Sequence, residues 1–139
     1  MSDRIVDADM EDGSPPCIEC GRSTELVTGR DIYPHRPDLH DRNFWQCLCG
    51  AYCGTHRGTT ASLGYPCGGV TREARKAAHA AFDQLWRGPQ ACKSRSAAYR
   101  WLAREMGLHP DNCHIGTMNA AQAREVARLS TLELEKNCK

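Results

Sequence analysis

Two regimes of hydrophobic patterning divide the chain. From Cys17 to Gly69 apolar residues come in short runs broken by Gly and Pro, with no helical period. Glu25-Leu26-Val27 and Asp31-Ile32-Tyr33, on either side of Thr28-Gly29-Arg30, predict two short strands around a glycine turn. Asn43-Phe44-Trp45-Gln46-Cys47 and Ala51-Tyr52-Cys53 predict further strands. Residues 34–42, PHRPDLHDR, predict a loop, because two prolines cannot donate to a ladder.

From Val70 the period becomes helical. Thr71 is the expected N-cap of a first helix, with Ala74, Ala77, Ala78, Ala81, Phe82, Leu85 and Trp86 on one stripe and Gly88-Pro89 as its stop. Ser94 or Ser96 caps a second helix through Ala98, Trp101, Leu102 and Met106, closed by Gly107. Asn119 with Gln122 three residues on resembles a capping box for a third, through Ala123, Val126, Ala127 and Leu129. The segment around Cys113-His114-Ile115-Gly116 predicts a turn and short strand, and the chain is expected to fray from about Leu132. The fold class is therefore α+β: residues 1–16 a flexible tail, 17–69 a strand-rich module, 70–131 a helical module packed with it as one compact unit, and 132–139 a frayed tail.

Charge sharpens these boundaries. Residues 1–16 carry Arg4 against Asp3, Asp7, Asp9, Glu11 and Asp12, and so form an acidic tail with too little apolar matter to order itself. Residues 70–104 hold eight basic side chains against Glu73 and Asp83, although the whole chain of 139 residues is only +1. That balance argues against wholesale coating of nucleic acid or membrane and leaves a local basic strip. No window approaches the ~18 uninterrupted apolar residues of a spanning helix. The opening residues show no basic region followed by an apolar run, so a cytoplasmic location is expected.

The candidate chemistry lies in nine cysteines, an odd number in a chain expected to meet a reducing compartment, where clustered cysteines bind metal. Cys17-Ile18-Glu19-Cys20-Gly21 is a C-x2-C-G unit and Cys47-Leu48-Cys49-Gly50 a contracted C-x-C-G unit, twenty-six residues apart. Two tight cysteine turns separated by a hairpin and a loop describe a zinc ribbon. Four thiolates at ~2.3 Å close a tetrahedral site and leave no position open for catalysis. Cys17, Cys20, Cys47 and Cys49 are the expected ligands of one structural Zn2+. Cys53 and His56, spaced C-x2-H, are possible extra ligands, replacing one pair or holding a second ion. Cys67, Cys92, Cys113 and Cys138 are scattered and read as bystander thiols.

The string IYPHRPDLHDRNFWQCLCGAYCGTH, the later Arg75–Trp86 and Ser96–Ala103 segments, and Cys113-His114-Ile115-Gly116 resemble a zinc-finger-containing family with no assigned activity, carried mostly by bacteriophages, prophages and their hosts. The resemblance covers roughly Cys17 to Val126. It implies a zinc-binding N-terminal half and a helical C-terminal half. Similar proteins often carry Val where Cys53 stands, which implies that Cys53 is not a ligand.

Other clusters suggest less. His35, Arg36, Asp38, His40 and Asp41 crowd one loop and could bind a catalytic metal, as in a metal-dependent nuclease, but nothing completes a nucleophile, base and oxyanion set. No phosphate-binding glycine loop, serine elbow or H-E-x-x-H string is present, and no small-molecule substrate is expected. The basic helices offer Arg72, Arg75, Lys76, Arg95, Arg100 and Arg104 as a strip for phosphate, with Tyr99 and Trp101 nearby. The expected function is that of a non-catalytic phage-type binding protein acting on nucleic acid or a nucleic-acid-processing complex. The alternative is an inhibitor or adaptor that binds a host enzyme or defence complex, in an anti-CRISPR-like role.

Overall fold

A computed structural model describes residues 13–137. The acidic run at 3–12 and the last two residues of the expected frayed tail lie outside the described residues. The chain divides into two compact units, the division falling between Gly69 and Val70, rather than the single unit expected.

The N-terminal unit is built on a three-stranded antiparallel sheet in the order β1 (Glu25–Thr28), β2 (Asn43–Gln46), β3 (Tyr52–Gly54). Its register places Val27, Phe44 and Gly54 across from one another, and likewise Leu26, Trp45 and Cys53. The expected hairpin around Gly29 does not form. Residues Gly29–Ile32 make a short helical turn, α1, and β1 pairs instead with β2. The Asp31 carboxylate accepts the Thr28 N–H at 3.3 Å, and Gly29 N–H donates to the Arg42 carbonyl at 2.9 Å. A Cβ on Gly29 would lie 1.7 Å from the Leu39 carbonyl oxygen, so only glycine lets the 37–39 turn close over α1. That turn, Pro37–Leu39, is a short 3-10 helix within the PHRPDLHDR loop.

One face of the sheet carries an edge-to-face trio of Tyr33, Phe44 and Tyr52, with ring centroids 5.7–6.1 Å apart. The Tyr33 and Tyr52 hydroxyls share a 2.6 Å hydrogen bond. On the other face the Trp45 indole N–H donates to the Thr60 carbonyl at 2.8 Å. Ser14 and Pro15, assigned to the flexible tail by the sequence, are buried, and the Pro15 carbonyl accepts the Thr24 hydroxyl at 2.7 Å.

The C-terminal unit is three helices: α2 (Gly69–Asp83), α3 (Arg95–Met106) and α4 (Ala120–Asn137). Ala74, Ala78, Phe82 and Leu85 of the first segment meet Ala98, Trp101, Leu102 and Ala103 of α3, with Ala123 and Val126 of α4. Thr71 is not the N-cap, because α2 starts at Gly69 and Thr71 is buried inside it. Ser94 does cap α3, its hydroxyl accepting the Ala97 N–H at 3.1 Å, and Gly107 ends that helix at φ +69°. No strand forms at 113–116. Two single 3-10 turns, Pro110–Asn112 and Ile115–Thr117, instead bring Cys113, Ile115 and Met118 into the core.

The capping box of α4 forms as expected. Asn119 accepts the Gln122 N–H at 2.8 Å, and Gln122 accepts the Asn119 N–H at 3.0 Å. Replacing Asn119 by Ala should therefore cost about 1 kcal/mol in chemical denaturation, the usual loss for a helix N-cap. The expected fraying from Leu132 is not seen. Leu134 packs on the core, and Glu133 takes the Lys93 ammonium at 3.1 Å with both side chains mostly buried. Lys93 also lies 5.6 Å from the Trp101 ring centroid.

Candidate metal centre

Each cysteine turn is shaped by its own backbone. In the first, Cys17 N–H donates to the Arg22 carbonyl and Gly21 N–H to the Cys17 carbonyl, at 2.9 and 2.8 Å. In the second, Cys47 N–H donates to Ala51 and Gly50 N–H to Cys47, at 2.8 and 2.9 Å. Gly21 and Gly50 sit at φ +79° and +99°, a left-handed conformation that side chains resist. Glycine after each cysteine pair is thus required by the turn.

The first turn is held against the rest of its unit by the returning chain. Ile18 N–H donates to the Pro66 carbonyl at 3.0 Å, and the Glu19 carboxylate accepts the Gly68 N–H at 2.8 Å. The same returning stretch bridges Tyr52 to Cys67 beside β3. The second turn is carried between β2 and β3, so the sheet sets the distance between the two cysteine pairs.

The result is a four-sulfur cluster. The sulfurs of Cys17, Cys20, Cys47 and Cys49 all lie within 4.8 Å of one another. Across the two turns, Cys17 and Cys49 approach to 3.6 Å and Cys20 and Cys47 to 3.4 Å. A tetrahedron with arms of ~2.3 Å has edges of about 3.8 Å, so these spacings suit one zinc ion. The donor set agrees. Burial pushes the Cys17 thiol up to about 12 and raises Cys47 as well, although backbone N–H groups point at both sulfurs. The Arg22 N–H pulls the exposed Cys20 down to about 7. Two buried thiols of this kind ionise readily only when a cation shares their pocket.

Residues 14–133 match the family model described as a zinc-finger-containing domain. The chain belongs to that family. Neither the curated proteins nor the solved structures provide a match. In this zinc-finger-containing domain the four cysteines hold a single structural zinc, and a closed set of four thiolates leaves the ion no free position.

The zinc finger does not draw in the two further candidates. The Cys53 thiol donates to the Gly64 carbonyl at 3.5 Å, and neither it nor His56 joins the four-sulfur group. His56 serves instead through its backbone, whose N–H donates to Ala61 and whose carbonyl accepts the Thr59 hydroxyl. Cys67 and Cys113 are buried but do not belong to the four-sulfur group, and burial pushes the Cys113 thiol up to about 11. Cys92 is disulfide-bonded and so is not the free thiol expected.

The His35–Asp41 loop holds itself together. Arg36 grips Asp38 through two hydrogen bonds of 3.0 and 2.8 Å, which holds the Asp38 carboxyl below its ordinary range. The His40 ring nitrogen bonds the Pro34 carbonyl at 2.9 Å. Among the described residues the cysteine cluster is the one group with metal-ligand geometry.

The basic strip is changed in one member. Arg75 is buried at 8% exposure, and its Nε donates to the Met118 carbonyl at 2.8 Å, tying α2 to the turn before α4. Lys76 is exposed and lies 3.7 Å from Glu73. Arg72 is half-buried, whereas Arg95, Arg100 and Arg104 are exposed. Arg95 stacks 4.9 Å from the Tyr99 ring and 5.5 Å from Trp86, and Arg87 lies 5.1 Å from the same indole. Arg87 was absent from the expected strip; its position one residue after Trp86 was the available signal. Trp101 is core, as its spacing implied.

Proposed function

We propose that this zinc-finger-containing domain is a non-catalytic binding protein of phage or prophage type that engages nucleic acid, alone or within a nucleic-acid-processing complex. The observation that carries this reading is the outer face of α3. Arg100 and Arg104 are exposed one turn apart, opposite Ala98 and Leu102, and no ion pair among the described residues engages them. Arg95 starts α3 on the other side, near Ala98 and Leu102, where it is held on the Trp86 and Tyr99 rings and adds a separate positive charge. The stacked guanidinium groups cover Trp86 and Tyr99, so phosphate contact is the chemistry this surface favours, with base stacking secondary. Arg72 and Lys76 add charge along α2.

Binding of this kind has a salt signature. Each phosphate contact contributes about 0.9 to the slope of log affinity against log salt on duplex DNA. Fluorescence anisotropy with labelled DNA and RNA should show affinity falling with salt. Charge reversal at Arg100 and Arg104 together should lower that slope by about two units and weaken every sequence alike. Unchanged affinity in the double variant removes the α3 face from the proposal.

A second reading, a protein-binding inhibitor or adaptor, draws on Leu48. It is 88% exposed at the tip of the second cysteine turn, where it offers a partner an apolar contact. A complex with a host enzyme that survives nuclease and is lost on replacing Leu48 by Glu would favour it over nucleic acid.

A further inference from the structure

The four zinc ligands are not equivalent. Cys17 and Cys47 are buried, while Cys20 and Cys49, one from each turn, are exposed. Each exposed sulfur faces a buried one on the opposite turn, at 3.6 Å for Cys49 and Cys17 and 3.4 Å for Cys20 and Cys47. Within the second turn only Leu48 separates Cys47 from Cys49, so a disulfide there would close a small ring. The cross-turn approach instead puts Cys17 3.6 Å from Cys49, ready to take an oxidised sulfur.

We infer that the cluster is an oxidation site for peroxides, in which the exposed Cys20 and Cys49 are attacked and resolved across the two turns to give Cys20–Cys47 and Cys17–Cys49 disulfides, with loss of the zinc. The chemistry balances. An exposed thiolate displaces hydroxide from the peroxide O–O bond and becomes a sulfenic acid, two electrons having passed from sulfur to oxygen. The buried thiolate opposite attacks that sulfur, the S–S bond forms and a second hydroxide leaves. Each such event strips the ion of two ligands. A second peroxide does the same for the remaining pair. Because both bonds run between the turns, oxidation replaces a metal clasp by a covalent one and leaves the two cysteine turns joined.

This goes beyond the nucleic-acid reading and does not depend on it; it rests on the zinc. Trypsin separates the turns into peptides 5–22 and 43–57, since Arg4, Arg22, Arg42 and Arg57 bound them. The test treats the full-length zinc-loaded protein with hydrogen peroxide, follows free zinc with a colorimetric chelator, blocks remaining thiols with N-ethylmaleimide, and maps the digest by mass spectrometry. The expected result is release of one zinc per chain in step with peptide 5–22 becoming disulfide-linked to 43–57. The Cys53→Ala variant, altered at the one other cysteine of the second peptide, should give the same linked species. Four outcomes overturn the inference: disulfides confined within each peptide, zinc retained while Cys20 and Cys49 proceed to sulfinic acid, a linkage that disappears in Cys53→Ala, or a protein that purifies without zinc.

Discussion

Stripping zinc with a strong chelator under reducing conditions is expected to unfold residues 14–69 and to leave residues 70–137 helical. The reason is the composition of the two cores. In the N-terminal unit the cluster of buried apolar residues consists of Cys17, Cys47 and Ala51, and two of those three are ligands. The aromatic trio of Tyr33, Phe44 and Tyr52 adds contact on one sheet face, but its members are only half-buried. A structural zinc in a small module supplies about 10–16 kcal/mol of apparent binding free energy, as large as the whole stability of an ordinary domain at about 5–15 kcal/mol. Nothing else in this unit is of that size. The helical unit, by contrast, draws its core from its own residues between Ala74 and Val126.

Amide spectra should accordingly lose dispersion for the strands and turns of residues 14–69 on chelation, while α2, α3 and α4 keep theirs. Far-ultraviolet dichroism should retain most of its helical signal. Cys17→Ser and Cys49→Ser should reproduce the loss without chelator, whereas Cys53→Ala should keep one zinc per chain. Unchanged dispersion after complete zinc removal would show that the sheet stands without its clasp.

The cysteine turns were legible because their chemistry is local. Spacing and a following glycine specify a turn whatever lies around it, and Gly21 and Gly50 adopt the positive φ that this demands. Helix ends were legible for the same reason: Ser94, Gly107 and the Asn119–Gln122 pair each act within a few residues. What the chain concealed depends on distant partners. The Thr28-Gly29-Arg30-Asp31 stretch reads as a hairpin turn until Arg42 and Leu39 are placed beside it, and the Thr28–Asp31 spacing was the one local hint of a helical turn. Arg75 falls on the line of Thr71, Ala78 and Phe82, all buried, so helical spacing placed it in the core while its charge suggested the surface. The carbonyl of Met118, forty-three residues on, resolves that conflict. Ser130 hides the last turns of α4 in a similar way. It is fully buried on the Val126–Leu134 stripe, and a polar residue there breaks the apolar pattern that would have carried the helix past Leu132.

Replacing Phe82 by Ala should be the most damaging single change in the helical unit. The ring is fully buried near the end of α2, and it meets Tyr99 edge to face at 4.7 Å. Truncating a buried Phe costs about 3–5 kcal/mol through lost burial and the cavity left behind. The edge-to-face pairing contributes about 0.5–1.5 kcal/mol of interaction beyond area alone. A unit of this size has little stability in reserve, so the loss is a large share of the total. The denaturation midpoint read by helical dichroism should fall steeply in Phe82→Ala and much less in Phe82→Leu, which keeps most of the volume. Zinc should remain at one per chain in both, because every ligand lies on the other side of Gly69. The change also reaches the basic surface. Tyr99 loses the wall it leans on, and Arg95, which stacks on Tyr99 and Trp86, loses its fixed direction. Under conditions where the variant is still folded, any phosphate contact made by Arg95 should weaken, giving a slightly smaller salt slope, while the Arg100 and Arg104 contributions remain. A Phe82→Ala variant as stable as one altered at the exposed Ala77 would mean that α2 and α3 do not pack through this ring.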